Sequence, residues 1–205
     1  MRIGVVGAGI MGTDHVRTLH GQVSGAEVGL VADLDPDRAA AAVAGIPGAA
    51  VPAEVVRDSD AVVVASHGST HAEPTLARLA ADTPVLCEKP LAPTVAECAR
   101  IVGADRGRGL VTLGFLRRFD PAHLALRAAI AEVGEPLVVH CVSRNVSSAP
   151  GSTSESSVTT SWVDGLRAGS PSPLASAQDG LRATAVADAV VASMKDGGRT
   201  VAVAG

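Results

Sequence analysis

The chain has 205 residues, 47% of them apolar and 19% charged, with a formal net charge of -4 and a pI near 5.8. That length suits one or two domains with enough apolar surface for a real core. The charge, with no Lys/Arg-rich run, leaves no electrostatic footprint for nucleic acid, and no stretch is long enough to span a bilayer. Met1–Gly7 leads straight into a strand and turn, without the apolar segment and cleavage site of a leader, so the expectation is a cytoplasmic protein. Cys87, Cys98 and Cys141 are odd in number, widely spaced and set among apolar residues, the pattern of buried reduced thiols. Only two of the 17 basic residues are lysines, Lys89 and Lys195.

In chain order, apolar β-branched runs alternate with Ala-rich stretches of helical period, as in a parallel sheet flanked by helices. The expected strands are Arg2–Val6, Glu27–Ala32, Ala61–Ala65, Pro84–Cys87, Leu110–Gly114 and Leu137–Ser143. Helices are expected near Met11–His20, Pro36–Ala44, His71–Ala81, Thr94–Ala104 and Pro121–Val133. Start signals support three of them: Asp35 before Pro36, Thr94 with Glu97 in capping-box spacing, and Asp120 before Pro121. Residues 147–161 are almost wholly Ser, Thr, Ala, Pro and Gly, and read as a disordered linker or mobile loop. Beyond them come a short amphipathic piece, Trp162–Ala168, a turn through Pro173, a helix from about Ser176 to Lys195 and a strand-like Thr200–Ala204. The fold class is α/β, a doubly wound parallel sheet of the Rossmann type.

Gly7-Ala8-Gly9-Ile10-Met11-Gly12 is a G-x-G-x-x-G that follows a strand and opens a helix. Its first glycine permits a tight turn, the second lets the backbone approach a pyrophosphate, and the third allows close helix–strand packing. The helix N-terminus offers unpaired N–H groups to phosphate, with Ile10 and Met11 in its first turn. Asp33 closes the second strand 21 residues after Gly12, where a carboxylate accepts ribose hydroxyls and repels a 2′-phosphate. NAD is therefore expected in preference to NADP, although Arg38 is close enough in sequence to reach a 2′-phosphate. The alternative is that the glycines serve packing alone and Asp33 caps a turn with Asp35.

After the strand Ala61–Ala65, the segment Ser66–His71 belongs at a carboxyl end of the sheet, where Ser66 and His71 can contact ribose or nicotinamide. His67 and His71 stand four apart, but they straddle a loop–helix boundary and no third ligand stands out, so no metal is expected. Cys87-Glu88-Lys89-Pro90 ends the next strand and faces the same crevice. A lysine there can bond a substrate hydroxyl and stabilise alkoxide character, and Glu88 could orient it. The alternative is a surface strand end closed by Pro90.

Gly7–Gly12, Asp33, Thr70-His71-Ala72-Glu73, Glu88-Lys89-Pro90 and Gly114-Phe115-Leu116-Arg117-Arg118-Phe119-Asp120 together resemble the Gfo/Idh/MocA oxidoreductases, most of all their inositol dehydrogenase branch. The resemblance covers residues 1 to about 156 and resumes near Trp162. It implies an NAD(P)-dependent dehydrogenase of inositols or sugars, with hydride transfer from a ring hydroxyl carbon to NAD and Lys89 as the catalytic lysine. Arg117 and Arg118 match the segment entering the substrate domain, where they either line the site or form a salt-bridged helix entry.

The departure from the family is in the second half. Residues 1–120 match the Rossmann domain, whereas 121–205 look like a shortened remnant of the α+β domain that normally covers the nicotinamide and mediates oligomers. No histidine occurs in residues 146–205, so the Asp and His that join the lysine in the family have no counterpart there. Leu137–Ser143 is left to join the Rossmann sheet or helix 176–195, or to pair with another subunit. Two functions remain open: a polyol dehydrogenase weakened by the shortening, and a silent or regulatory module that binds NAD without turnover. Methyl transfer on a similar glycine-rich fold would leave Glu88-Lys89-Pro90 unexplained. The expected partner is a small polyol or sugar, with a homo-oligomer possible.

Overall fold

The computed structural model describes residues 1–51, 59–134 and 153–203. Its centre is a six-stranded sheet in the order β2-β1-β3-β4-β5-β6. The strands are β1 (Arg2–Val6), β2 (Glu27–Ala32), β3 (Ala61–Val64), β4 (Val85–Cys87), β5 (Val111–Leu113) and β6 (Ala175–Ser176). The first five are parallel, and β6 runs antiparallel to β5. The helices are α1 (Ile10–Gly21), α2 (Pro36–Val43), α3 (Ala72–Ala80), α4 (Val95–Asp105), α5 (Pro121–Val133), α6 (Thr153–Ala168) and α7 (Ala177–Lys195).

Alternation along the strands creates two cores. Ile3, Val5, Val31, Val63 and Leu86 point to one face, where they meet Val16 and Leu19 of α1. Val62, Val64, Val85, Cys87, Val111 and Leu113 point to the other, against Leu79 of α3, Cys98 and Ile101 of α4 and Ala177 of α7. Runs buried on both faces are what a parallel sheet requires, and they explain why these strands read as continuous apolar stretches. All three start signals operate. The side chains of Asp35, Thr94 and Asp120 accept first-turn N–H groups of α2, α4 and α5.

The second half departs from expectation. Residues 153–161, expected within a linker, form the first half of α6. Composition misled because the helix is held by position rather than propensity. Val158, Trp162 and Val163 are buried, with Leu166 packed beside them, forming one stripe along α6 against α1. Arg167 fastens its end by donating to the Ser24 carbonyl at 2.9 Å. The strand expected at Thr200–Ala204 does not form over residues 200–203; the free edge of β5 is taken by β6 instead, which sequence reading did not anticipate. Leu137–Ser143 and residues 147–152 lie outside the described residues.

Candidate functional site: a dinucleotide cleft and the Lys89 turn

At the carboxyl ends of β1, β2 and β3 lies a cleft of about 700 Å³. Its lining includes Gly7, Gly9, Ile10, Met11, Asp33, Arg38 and Ser66. This is the point where the strand order reverses between β1 and β3, the place open α/β sheets bind ligands. Gly7 has φ +96°, and a Cβ on it would strike the Ser66 backbone. A Cβ on Gly12 would collide with the Gly7 carbonyl oxygen, so only glycine lets α1 start this close to β1. Gly9 differs, since a Cβ there would meet nothing within 4 Å. That open space, beside first-turn N–H groups that no side chain caps, is the cradle a pyrophosphate needs.

The Asp33 carboxylate is aimed by the backbone. Oδ2 accepts from the Ala8 N–H at 2.6 Å and Oδ1 from the Asp35 N–H at 2.9 Å. Arg38 pairs with Asp33 at 3.4 Å and with Asp35 at 3.1 Å. Its N–H bonds and ion pair with Asp35 help hold the Asp35 carboxyl below the usual range, the Arg38 backbone bond being the largest cause. Arg38 thus lines the cleft with its charge already engaged by two carboxylates. Leu34, lying beside Asp33 in the lining, is 96% exposed.

The other expected residues stand apart from that lining. His71 is buried and braces two loops, with Nδ1 at 2.7 Å from the Pro90 carbonyl and Nε2 at 3.0 Å from the Ser66 carbonyl. It shapes the crevice wall rather than lining the cleft. Lys89 follows β4 with its side chain exposed, and a cis peptide bond joins it to Pro90. Glu88 is buried behind it. His15 Nε2 donates to Glu88 Oε1 at 2.9 Å, and Glu88 Oε2 accepts the Lys89 N–H at 3.3 Å. Gly114 leaves room for this carboxylate, since a Cβ there would sit 2.7 Å from Glu88 Oε1. Arg117 pairs with Asp120 at 3.1 Å and Arg118 with Asp179 of α7 at 3.2 Å. These are the contacts of a helix entry. Burial pushes the Cys87 thiol up to about 12, too high for a nucleophile at neutral pH. Among the described residues no group of His, Cys, Asp and Glu could hold a metal ion, and no helix is long and apolar enough to cross a membrane.

Sequence reading missed His15, Thr159 and the reason for Gly114. The one available signal was a histidine placed on the face of α1 that also carries Val16 and Leu19.

A family model described as "Oxidoreductase family, NAD-binding Rossmann fold" (GFO_IDH_MocA) matches residues 1–115. The chain belongs to this family. It is 52% identical over 179 residues to Inositol 2-dehydrogenase 2 of Paenarthrobacter aurescens, covering 81% of this chain and 53% of that protein. A myo-inositol dehydrogenase from Corynebacterium glutamicum superposes with TM-score 0.57 at 29% identity, over 66% of this chain and 42% of that one. The myo-inositol dehydrogenase of Lactobacillus casei, solved in complex with NAD(H) and myo-inositol, gives TM-score 0.85 at 20% identity over 100% of this chain and 98% of that one, a likeness of fold. The chain spans about half the length of the curated relatives it matches. NAD is the cofactor of this oxidoreductase fold, and the open cradle at Gly9 beside the aimed Asp33 carboxylate fits it.

Proposed function

We propose that this chain is an NAD-dependent dehydrogenase of cyclic polyols of the inositol class. One observation carries the reading: the Asp33 carboxylate, after β2, is held by the Ala8 N–H of the glycine loop, in the sheet whose β4, two strands along from β1, delivers Lys89. The names of the relatives supply the substrate class. Gly7, Gly9 and Gly12 with Ile10 and Met11 would hold the pyrophosphate, Asp33 the adenosine ribose, and Ser66 the crevice wall. The chemistry supplied by bound NAD is acceptance of a hydride from the hydroxyl-bearing carbon. Lys89, as the neutral amine, takes the proton of that carbon's hydroxyl, and the ammonium so formed steadies the oxygen while the hydride leaves, so that a CH–OH becomes a ketone. Glu88 and His71 hold the turn on either side of Lys89.

Titration with NADH, followed by myo-inositol-dependent NADH formation at 340 nm, tests the reading. Saturable binding with turnover that disappears in Lys89→Met supports it. Turnover retained by Lys89→Met would remove Lys89 from the reaction.

A second reading, binding of NAD without turnover, is favoured by the cleft lining, which contains the cofactor groups but not Lys89. NADH binding without reduction of NAD by any inositol isomer would select it.

A further inference from the structure

We propose that His15 is a positioning residue for Lys89, acting through the buried carboxylate of Glu88. This rests on Lys89 being the residue that meets substrate. Lys89 is exposed, so its place depends on the backbone beneath it. That backbone is tied by its own N–H to Glu88 Oε2. Glu88 in turn has a fixed location: Gly114 gives it space on one side, and His15 Nε2 holds Oε1 on the other. A carboxylate only accepts, so Nε2 carries the proton of this bond. His15, Glu88 and Thr159 are all buried, and a carboxylate in such a place is costly without a partner. Remove Nε2, and Glu88 must turn toward water, taking away the acceptor of the Lys89 N–H.

The ring is itself oriented from the far end of the chain. Nδ1 lies 2.9 Å from Thr159 Oγ1 on α6, a bond that forms with either atom donating. Thr159 stands in the helix that Val158, Trp162 and Val163 anchor on α1. The path from α6 through His15 and Glu88 to Lys89 therefore consists of two hydrogen bonds between buried side chains and a third, from the Lys89 N–H, at the rim.

The two-lysine composition makes the test direct. In a Lys195→Arg background with lysine labelled at its backbone 15N, Lys89 gives a single amide NMR signal whose position reports its hydrogen bond to Glu88 without any turnover. His15→Gln places an amide nitrogen where Nε2 was and gives up the Thr159 contact. His15→Asn does the opposite. The expected result is a ligand-free Lys89 amide signal near its wild-type position in His15→Gln and at the position of an amide without that bond in His15→Asn. Thr159→Val, which frees the far side of the ring without touching Glu88, should move the signal partway. In turnover, His15→Asn should lose kcat on the order of 10²-fold with little change in KM for NAD, and His15→Gln should recover most of it.

If His15→Asn keeps the signal and His15→Gln loses it, His15 serves only to hold α6, and the proposal falls. An unmoved signal in all three variants overturns it as well. Should the chain show no polyol turnover, the functional reading fails, while the NMR comparison still decides the role of His15.

Discussion

Replacing Asp33 by asparagine alters charge while nearly preserving shape, which makes it the most informative change to the cofactor cleft. The carboxylate spends one lone pair of Oδ2 on the Ala8 N–H and one of Oδ1 on the Asp35 N–H, with Arg38 3.4 Å from Oδ1, leaving the free side of Oδ2 for a ribose diol. An asparagine oxygen that stays on the Ala8 N–H turns its NH2 toward the Asp35 N–H, so one donor loses its acceptor and the diol loses a charged partner. A hydrogen bond to a charged group contributes about 1.5–3 kcal/mol. NADH affinity should therefore fall between ~10- and ~150-fold. NADPH should lose less, because the repulsion of its 2′-phosphate goes too and Arg38, held at 3.4 Å by Asp33, is partly released. Calorimetric titration of wild type and variant with both nucleotides measures this, with circular dichroism confirming the fold. An unchanged Kd for NADH in a folded variant would refute the assignment of Asp33, and wild-type preference for NADPH would refute the reasoning about charge.

The remaining predictions test the fold around the cleft. Gly9→Ala should leave the melting temperature unchanged, since its Cβ meets nothing, yet weaken NADH more than about tenfold by filling the cradle. Gly12→Ala should lower both stability and binding, because its Cβ collides with the Gly7 carbonyl oxygen. Trp162→Ala should cost ~3–5 kcal/mol in urea unfolding followed by circular dichroism; a loss below about 1 kcal/mol would show that α6 is not part of the core. Asp179 caps the start of α7, and its carboxyl is lowered chiefly by the Ser176 backbone N–H and further by Arg118. Its folded value lies below the unfolded one. The stability it adds is thus present above the unfolded carboxylate pKa, ~3.9, and is lost as pH falls through the lower folded value. Wild type should exceed Asp179→Asn in stability at neutral pH, with the two converging in acid; a constant gap down to pH 2 would contradict the capping role.

What the sequence made legible is local. The glycine spacing, the acid that ends β2 and the three helix caps each act within a few residues or along one β-α-β unit, and patterns of that range survive in a linear reading. The polar contacts that organise the Lys89 turn do not. His15 meets Glu88 across 73 residues and Thr159 across 144, and no periodicity announces either partner. The same holds for α6. Its Ser/Thr-rich start has the composition of a linker, and only the presence of α1 opposite Val158 and Trp162 makes helix the better state. Arg117 and Arg118 show the converse: a motif drew attention to them, whereas the structure gives each a nearby carboxylate.

The sheet is closed by late residues. One face of the Rossmann core is sealed by Val158, Trp162 and Val163, and the other by Ala175, Ala177 and the close approach of Gly180 to Leu113 and Leu91. During synthesis, β1 to β5 can pair early with α1, α3 and α4 against them, but part of each face stays wet until α6 and α7 have emerged. Long-range closure of this kind slows folding and lengthens the exposure of apolar surface. The nascent N-terminal half is then the species most dependent on chaperones, and a chain cut anywhere before Trp162 should accumulate as aggregate rather than as a smaller NAD-binding domain.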